Sequence, residues 1–301
     1  MNRREFLLSA AAFAAAPHLA GCATTSAGKS GHILFGACRG PGDAKLLSSV
    51  GYDFWEWGVG AAFDPEKGDE WWKVQRDLIV SQPIPLRSCN GFIPWKFRLT
   101  GPKASHAPAL EYAERAMRRA DEVGVKTLVL GSGGARNVPG DFIGPAEQRP
   151  DIEGGTRQFV DFCRELAKRT ADLKTTKVVI EPLRPNESNI VNFVWQGVAI
   201  CEEIASPRIR QLADIFHMMM GGDPAASIVR AGHFLAHCHI ASYGTRNFPG
   251  AEPDTVPRLR PYFAALREIG YTGGVSCECG WGAWEDLAKN LETALKTMKG
   301  L

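Results

Sequence analysis

No apolar run in this chain reaches the ~18 residues that a membrane-spanning helix requires. Charge of one sign is equally scarce. The 35 Lys and Arg stand against 33 Asp and Glu, a formal net of +2, so the basic surface on which non-specific nucleic-acid binding depends is missing. Eight cysteines among 301 residues lack the density and spacing of a disulfide scaffold. Apart from Cys22 they are odd in number, and most sit in apolar contexts such as Phe162-Cys163 and Ile200-Cys201, which marks them as small core residues. Cys277-Glu278-Cys279 reads more simply as a strand whose thiols face a packing layer than as a metal pair. Gly36-Ala37-Cys38-Arg39-Gly40-Pro41-Gly42 is glycine-rich but has neither G-x-G-x-x-G nor G-x-x-x-x-G-K spacing, which counts against a doubly wound nucleotide-binding sheet. There is no internal repeat and no linker that would divide the body of the chain.

What is present begins at the N-terminus. Asn2-Arg3-Arg4-Glu5-Phe6-Leu7 sets a twin arginine before an apolar stretch from Phe6 to Ala16, the layout of an export signal and of the twin-arginine route in particular. The stretch closes at Leu19-Ala20-Gly21-Cys22, which resembles a bacterial lipoprotein box. Residues 1–21 are therefore expected to be a signal peptide, Cys22 a lipidation site and residues 22–31 a flexible tether, leaving one domain over residues 32–301. The expected location is outside the cytoplasm, periplasmic or held at a membrane by lipid alone.

Beyond the tether, short β-like runs alternate with longer helical patterns. The predicted strands are Ile33–Gly36, Phe54–Trp57, Pro85–Asn90, Thr127–Gly131, Lys177–Glu181, Gln211–Asp214, Phe234–His239 and Gly274–Glu278. Between them, Ala107–Val123 carries Leu110, Ala113, Met117 and Ala120 at helical spacing and stops at Gly124. Thr156–Leu173 puts Phe159, Phe162, Cys163 and Leu166 on one face. Gly51 and Gly270 end helices in the same way, and Asp223-Pro224 predicts an N-cap followed by Pro at the first helical position. Eight strands, each followed by a helix or a helix-containing loop, over about 270 residues predict a single (β/α)8 barrel.

In such a barrel the chemistry sits at the C-terminal ends of the strands. Those ends read Glu56, Asn90, Gly131, Glu181, Asp214, His239 and Glu278. The last four lie 33, 25 and 39 residues apart, each close to one βα unit, and so on consecutive strands five to eight. Taken singly, each has a plain structural explanation. A carboxylate at a strand end often caps the next helix, Asp214 above all, and either His237 or His239 could be a satisfied core histidine. Their coincidence at successive ends favours a shared site. Three carboxylates and one imidazole form a hard, oxygen-rich set suited to Mn²⁺, Mg²⁺ or Co²⁺ rather than to a thiolate zinc site. Without a cation, the carboxylates would repel and raise one another's pKa values.

Glu181-Pro182-Leu183-Arg184-Pro185-Asn186-Glu187 resembles the E-P-L-x-x-x-E segment of the sugar phosphate isomerase/epimerase family, xylose isomerase-like barrels that include the ketose 3-epimerases. Asp214-Ile215-Phe216-His217 resembles its D-x-x-H, His237-Cys238-His239 its H-x-H, and Gly274–Glu278 its strand-eight Glu. Gly51-Tyr52-Asp53-Phe54-Trp55-Glu56 is similar to its strand-two ending. The resemblance spans roughly residues 32–298. It implies that Glu181, Asp214, His239 and Glu278 bind one divalent ion, Mn²⁺ in the first place, with Mg²⁺, Co²⁺ or Zn²⁺ as alternatives. It further implies that Glu187, His217 and Arg246 contact substrate. Arg246 follows His239 by seven residues where the epimerases have six.

The implied chemistry is proton abstraction next to the carbonyl of a keto-sugar through a metal-bound enediolate, with Glu181 and Glu278 removing and returning the proton. A lyase or dehydratase acting on a 3-keto-glycoside would use the same parts. Trp57 and Trp281, beside the ends of strands two and eight, and Glu56 are further candidate substrate contacts. An endonuclease of abasic sites shares the barrel but needs histidines at strands two and three, where this chain has Phe54-Trp55-Glu56-Trp57 and Arg87-Ser88-Cys89-Asn90. A retired barrel serving as a surface sugar-binding lipoprotein would have no use for both Glu181 and Glu278. The expected partner is thus a small carbohydrate, with no nucleic acid.

Overall fold

The computed structural model describes residues 32–143 and 145–301; the expected signal peptide, Cys22 and the tether lie outside the described residues. Eight parallel strands close on themselves in chain order. They are β1 (Leu34–Cys38), β2 (Phe54–Gly58), β3 (Leu86–Asn90), β4 (Thr127–Leu130), β5 (Lys177–Ile180), β6 (Ile209–Asp214), β7 (Leu235–Ile240) and β8 (Gly274–Cys277). Closure pairs β1 with β8 as well as with β2, which leaves no open edge. The predicted (β/α)8 barrel is what forms, and each predicted strand end lies within two residues of the observed one.

Helices pack outside the strands because their apolar stripes face the barrel. On His106–Glu122, the expected Leu110, Ala113, Met117 and Ala120 are all buried. On Ile152–Arg169, Phe159, Phe162, Cys163 and Leu166 are fully buried. The second helix starts four residues before the expected Thr156, since Asp151 accepts from the Gly154 N–H at 2.9 Å and caps it. Asp223 corrects another expectation. The helix after it is Ala226–Ala231, with Ala225 at its N-cap and no side-chain cap. The Asp223 carboxylate instead accepts from the Val194 N–H at 2.8 Å, at the start of helix Val194–Ile204, and from the Ser227 hydroxyl. A partner 29 residues away in sequence out-competed the local one.

Inside the barrel, β4, β5 and β6 build matched layers, because alternate residues of a strand share a face. Val129, Val179 and Leu212 form a buried apolar cluster separate from the main core, with Ala236 against it. Two residues further along their strands come Gly131, Glu181 and Asp214. Two residues earlier come Thr127, Lys177 and Arg210. Register shifts on β3 and β7 place Arg87 and Ala236 as extra residues opposite continuous neighbours, and a bulge re-aims the side chain it carries. No helix among the described residues is long and apolar enough to cross a membrane.

Candidate metal centre

Glu181 follows the last residue of β5, Asp214 ends β6, His239 is next to last on β7, and Glu278 follows β8. The structure brings these four together: one ligand atom from each lies within 4.8 Å of all the others. The His239 Nδ1 is 3.0 Å from Glu181 Oε1, 3.6 Å from Glu278 Oε2 and 4.0 Å from Asp214 Oδ2. Glu181, Asp214 and His239 are buried, and Glu278 is open to solvent by about a quarter of its side chain.

Each of the four is held by its surroundings. Glu181 fits because residue 131 is glycine: a Cβ there would stand 2.1 Å from Glu181 Oε2. Its backbone carbonyl accepts from the fully buried Arg136 guanidinium at 2.9 Å, which also donates to Leu130 O, Val191 O and the Ser188 hydroxyl. Asp214 accepts from the His217 N–H at 3.1 Å, capping helix Ile215–Gly221, so it is both the expected cap and a member of the cluster. His239 Nε2 lies 2.9 Å from Glu56 Oε1. With the proton on Nε2 shared with that carboxylate, the Nδ1 lone pair faces the other three ligands. Glu278 accepts from Asn90 Nδ2 at 3.0 Å through one oxygen and from Arg246 through the other.

The electrostatics fit a resident cation. Burial pushes the Asp214 carboxyl up to about 6, and the Glu278 charge adds to this against the pull of His239 and Arg246. Burial also raises Glu181, with Glu278 and Asp214 adding to it and His239 opposing. Burial disfavours an imidazolium at His239, but the charges of Glu56 and Glu278 and the bond to Glu181 outweigh it and raise its pKa. Close packing of three carboxylates at a buried site raises the cost of their charges, which a hard divalent ion would neutralise, and the donor set suits such an ion.

The expected substrate contacts divide. His217 lies with Nε2 3.6 Å from Asp214 and 3.8 Å from Glu187. Arg246 reaches Glu278 and stands 3.7 Å from Glu187 and 3.9 Å from Asp214, with its guanidinium 4.9 Å from the Phe216 ring centre. The loop carrying it bends through left-handed backbone at Gly244 and Arg246. Glu56 departs from expectation. It is fully buried beneath His239, bonded to His237 Nε2 at 2.9 Å and to the Ser276 hydroxyl, a position that orients the two imidazoles and leaves none of its carboxylate surface at the barrel mouth. Trp281 also departs from it: its ring is buried and stacked on Phe248, so it is part of the core. Trp57 is half-buried beside Trp55 at the end of β2. Asn90, Gly131 and Arg136 act at the site without having been singled out for it. The first two stand among the strand ends but carry no charge, and Arg136 sits in a loop helix with no motif.

The model of a xylose isomerase-like TIM barrel family matches residues 44–301. A D-psicose 3-epimerase of Agrobacterium fabrum is 26% identical over 181 residues, 58% of this chain and 57% of that protein. An L-ribulose 3-epimerase of a Methylomonas species is 26% identical over 147 residues, 46% of each chain. The chain thus spans about half the length of the curated relatives it matches. Among solved structures, a 3-keto-D-glucoside 4-epimerase of E. coli superposes with a TM-score of 0.73 at 20% identity, over 89% of this chain and 100% of that one. A D-psicose 3-epimerase of Clostridium cellulolyticum gives 0.72 at 17% identity, over 90% and 98%. At such identities the superpositions show a shared fold alone. The match of the family model over most of its length shows that the chain belongs to the xylose isomerase-like TIM barrel family.

Proposed function

We propose that this chain is a divalent-metal-dependent sugar isomerase or epimerase acting on a keto-sugar or related carbohydrate. The observation that carries the reading is the convergence of Glu181, Asp214, His239 and Glu278 at the mouth of the barrel. The names of the curated relatives, ketose epimerases, support the substrate class. A bound divalent ion, Mn²⁺ in this reading, would polarise a carbonyl and the neighbouring hydroxyl and acidify the C–H between them.

The residues of the chain do the remaining work. Glu181 and Glu278 reach the reacting carbon from different strands, one taking the proton and the other returning it, which contributes about 10²–10⁴-fold. His217 Nδ1 faces the Arg184 N–H at 3.5 Å, which leaves the Nε2 proton as a donor to a substrate oxygen. Arg246 offers a guanidinium to a second oxygen, and Glu187, 2.8 Å from Arg184, can accept from a hydroxyl. The Phe216 ring beneath Arg246 limits water around these groups.

Incubation with keto-sugars and 3-keto-glycosides in deuterated water with Mn²⁺ tests the reading. Deuterium should enter the carbon beside the carbonyl and be lost at least about 10²-fold in Glu278→Gln; an eliminated product would instead indicate the lyase. Absence of exchange from every substrate would sink the proposal. We further propose that residues 1–21 direct export and that Cys22 is acylated. Mass analysis of the mature N-terminus checks both, and metal analysis of the purified protein checks the identity of the ion.

A further inference from the structure

At the end of the barrel away from Glu181 and Asp214 lies a cavity of about 490 Å³, within the range of small-molecule sites. Arg87, Lys126, Lys177, Arg210 and His233 line it, and no carboxylate does. Lys177 and Arg210 are the layer beneath Val179 and Leu212, and Arg87 is the bulged residue of β3. The side chains of Arg87, Lys126 and Lys177 make no hydrogen bond or ion pair with any described residue. Among the described residues, Arg210 donates only to the Ser206 and Ile209 carbonyls, and it lies over the Phe234 ring. Asp121, which reaches the cavity-lining Thr175, is already engaged by the N–H groups of residues 174–176 and by the Thr175 hydroxyl.

A second, independent observation points the same way. Thr127 lines the cavity, is 3% exposed, and its hydroxyl has no hydrogen-bond partner among the described residues. Natural proteins rarely leave a buried hydroxyl unpaired. Nor does the fold gain from gathering like charges: burial, then Arg210, Arg208 and Lys126, holds the Lys177 ammonium below its ordinary value. Unpaired cations around an unpaired donor describe a receptor for an anion with several acceptor oxygens.

We propose that this cavity binds the phosphate group of a small anion, with Arg87, Lys126, Lys177 and Arg210 as charge partners and the Thr127 hydroxyl donating to one oxygen. The site is separate from the metal centre and does not rest on the function proposed above. Two sources share this chemistry, a free phosphate and a phospholipid headgroup.

Titration calorimetry of the full-length chain with pyrophosphate, and co-flotation with phosphatidylcholine vesicles containing or lacking phosphatidylglycerol, test the proposal. Saturable pyrophosphate binding, weakened by salt and by about tenfold or more in Lys177→Gln and Thr127→Val, identifies a free anion site. Flotation that needs phosphatidylglycerol and is lost in Lys177→Gln identifies the headgroup as the source. A melting measurement guards against a mere folding defect: without anion, Lys177→Gln should melt above the wild type, because it relieves repulsion, and added pyrophosphate should narrow the gap. The proposal is overturned if neither probe binds, if binding is unchanged in Lys177→Gln, or if that variant melts lower without anion.

Discussion

Glu56 and His239 share a hydrogen bond of 2.9 Å, and through its other oxygen the same carboxylate meets His237 at 2.9 Å. All three side chains are buried, so no water competes for these bonds. Glu56 therefore fixes the ring orientation and proton position of His239, the one candidate nitrogen donor in the cluster.

Glu56→Gln keeps the shape but places an amide donor against one of the two imidazoles. Metal affinity, read by competition with a chelating dye, should fall about 10–100-fold while the circular dichroism spectrum stays native. Unchanged affinity would show that Glu56 only packs.

Gly131 makes room for Glu181. In Gly131→Ala the new Cβ would stand 2.1 Å from Glu181 Oε2, so the carboxylate must swing away. A displacement of that order should cost about 10²-fold in turnover, and metal stoichiometry should drop with it. An alanine variant with full occupancy and activity would contradict the packing described.

Arg136 serves stability as well as the site. Burial pushes its guanidinium down to about 10, yet it holds three carbonyls and a hydroxyl. Arg136→Met removes the buried charge but strands those acceptors, and the second effect should win, lowering unfolding free energy by about 2–4 kcal/mol. Urea unfolding measures it.

Asp121 predicts a pH dependence. Burial works against its charge, but N–H groups of Thr176, Thr175 and Lys174 outweigh that and hold it at about 2. An unfolded Asp titrates near 3.9, so the folded state favours the ionised form. The contribution is fully present above about pH 4 and disappears as the pH falls through 2. Because the carboxylate is partly solvated, Asp121→Asn should cost only about 1 kcal/mol at pH 6. The gap to wild type should be much narrower at pH 2 than at pH 6 in unfolding curves at the two pH values.

The barrel and its four converging residues were legible because both follow from local periodicity. Strands alternate, helices repeat near 3.6, and a ligand at each strand end recurs once per βα unit. Glu56 was legible as a strand end but not as a support, because its partner His239 lies 183 residues away and burial is not written in a motif. Trp281 fails for the same reason: nothing local reveals that Phe248 will cover it. Asp223 shows a local signal losing to a distant donor. The bulge that turns Arg87 inward was invisible because it exists only in the pairing of β2 with β3.

The stacked tiers of β4, β5 and β6 carry one last consequence. Basic floor, apolar plug and acidic rim follow one another as Lys177, Val179 and Glu181 on β5 and as Arg210, Leu212 and Asp214 on β6, while β4 fills the same tiers with Thr127, Val129 and Gly131. Deleting Val178 would therefore turn the first half of that strand inside out, exchanging Lys177 for its neighbour Thr176 on the inner face. On each of these strands, the two ends of the barrel are phase-locked through a single aliphatic residue.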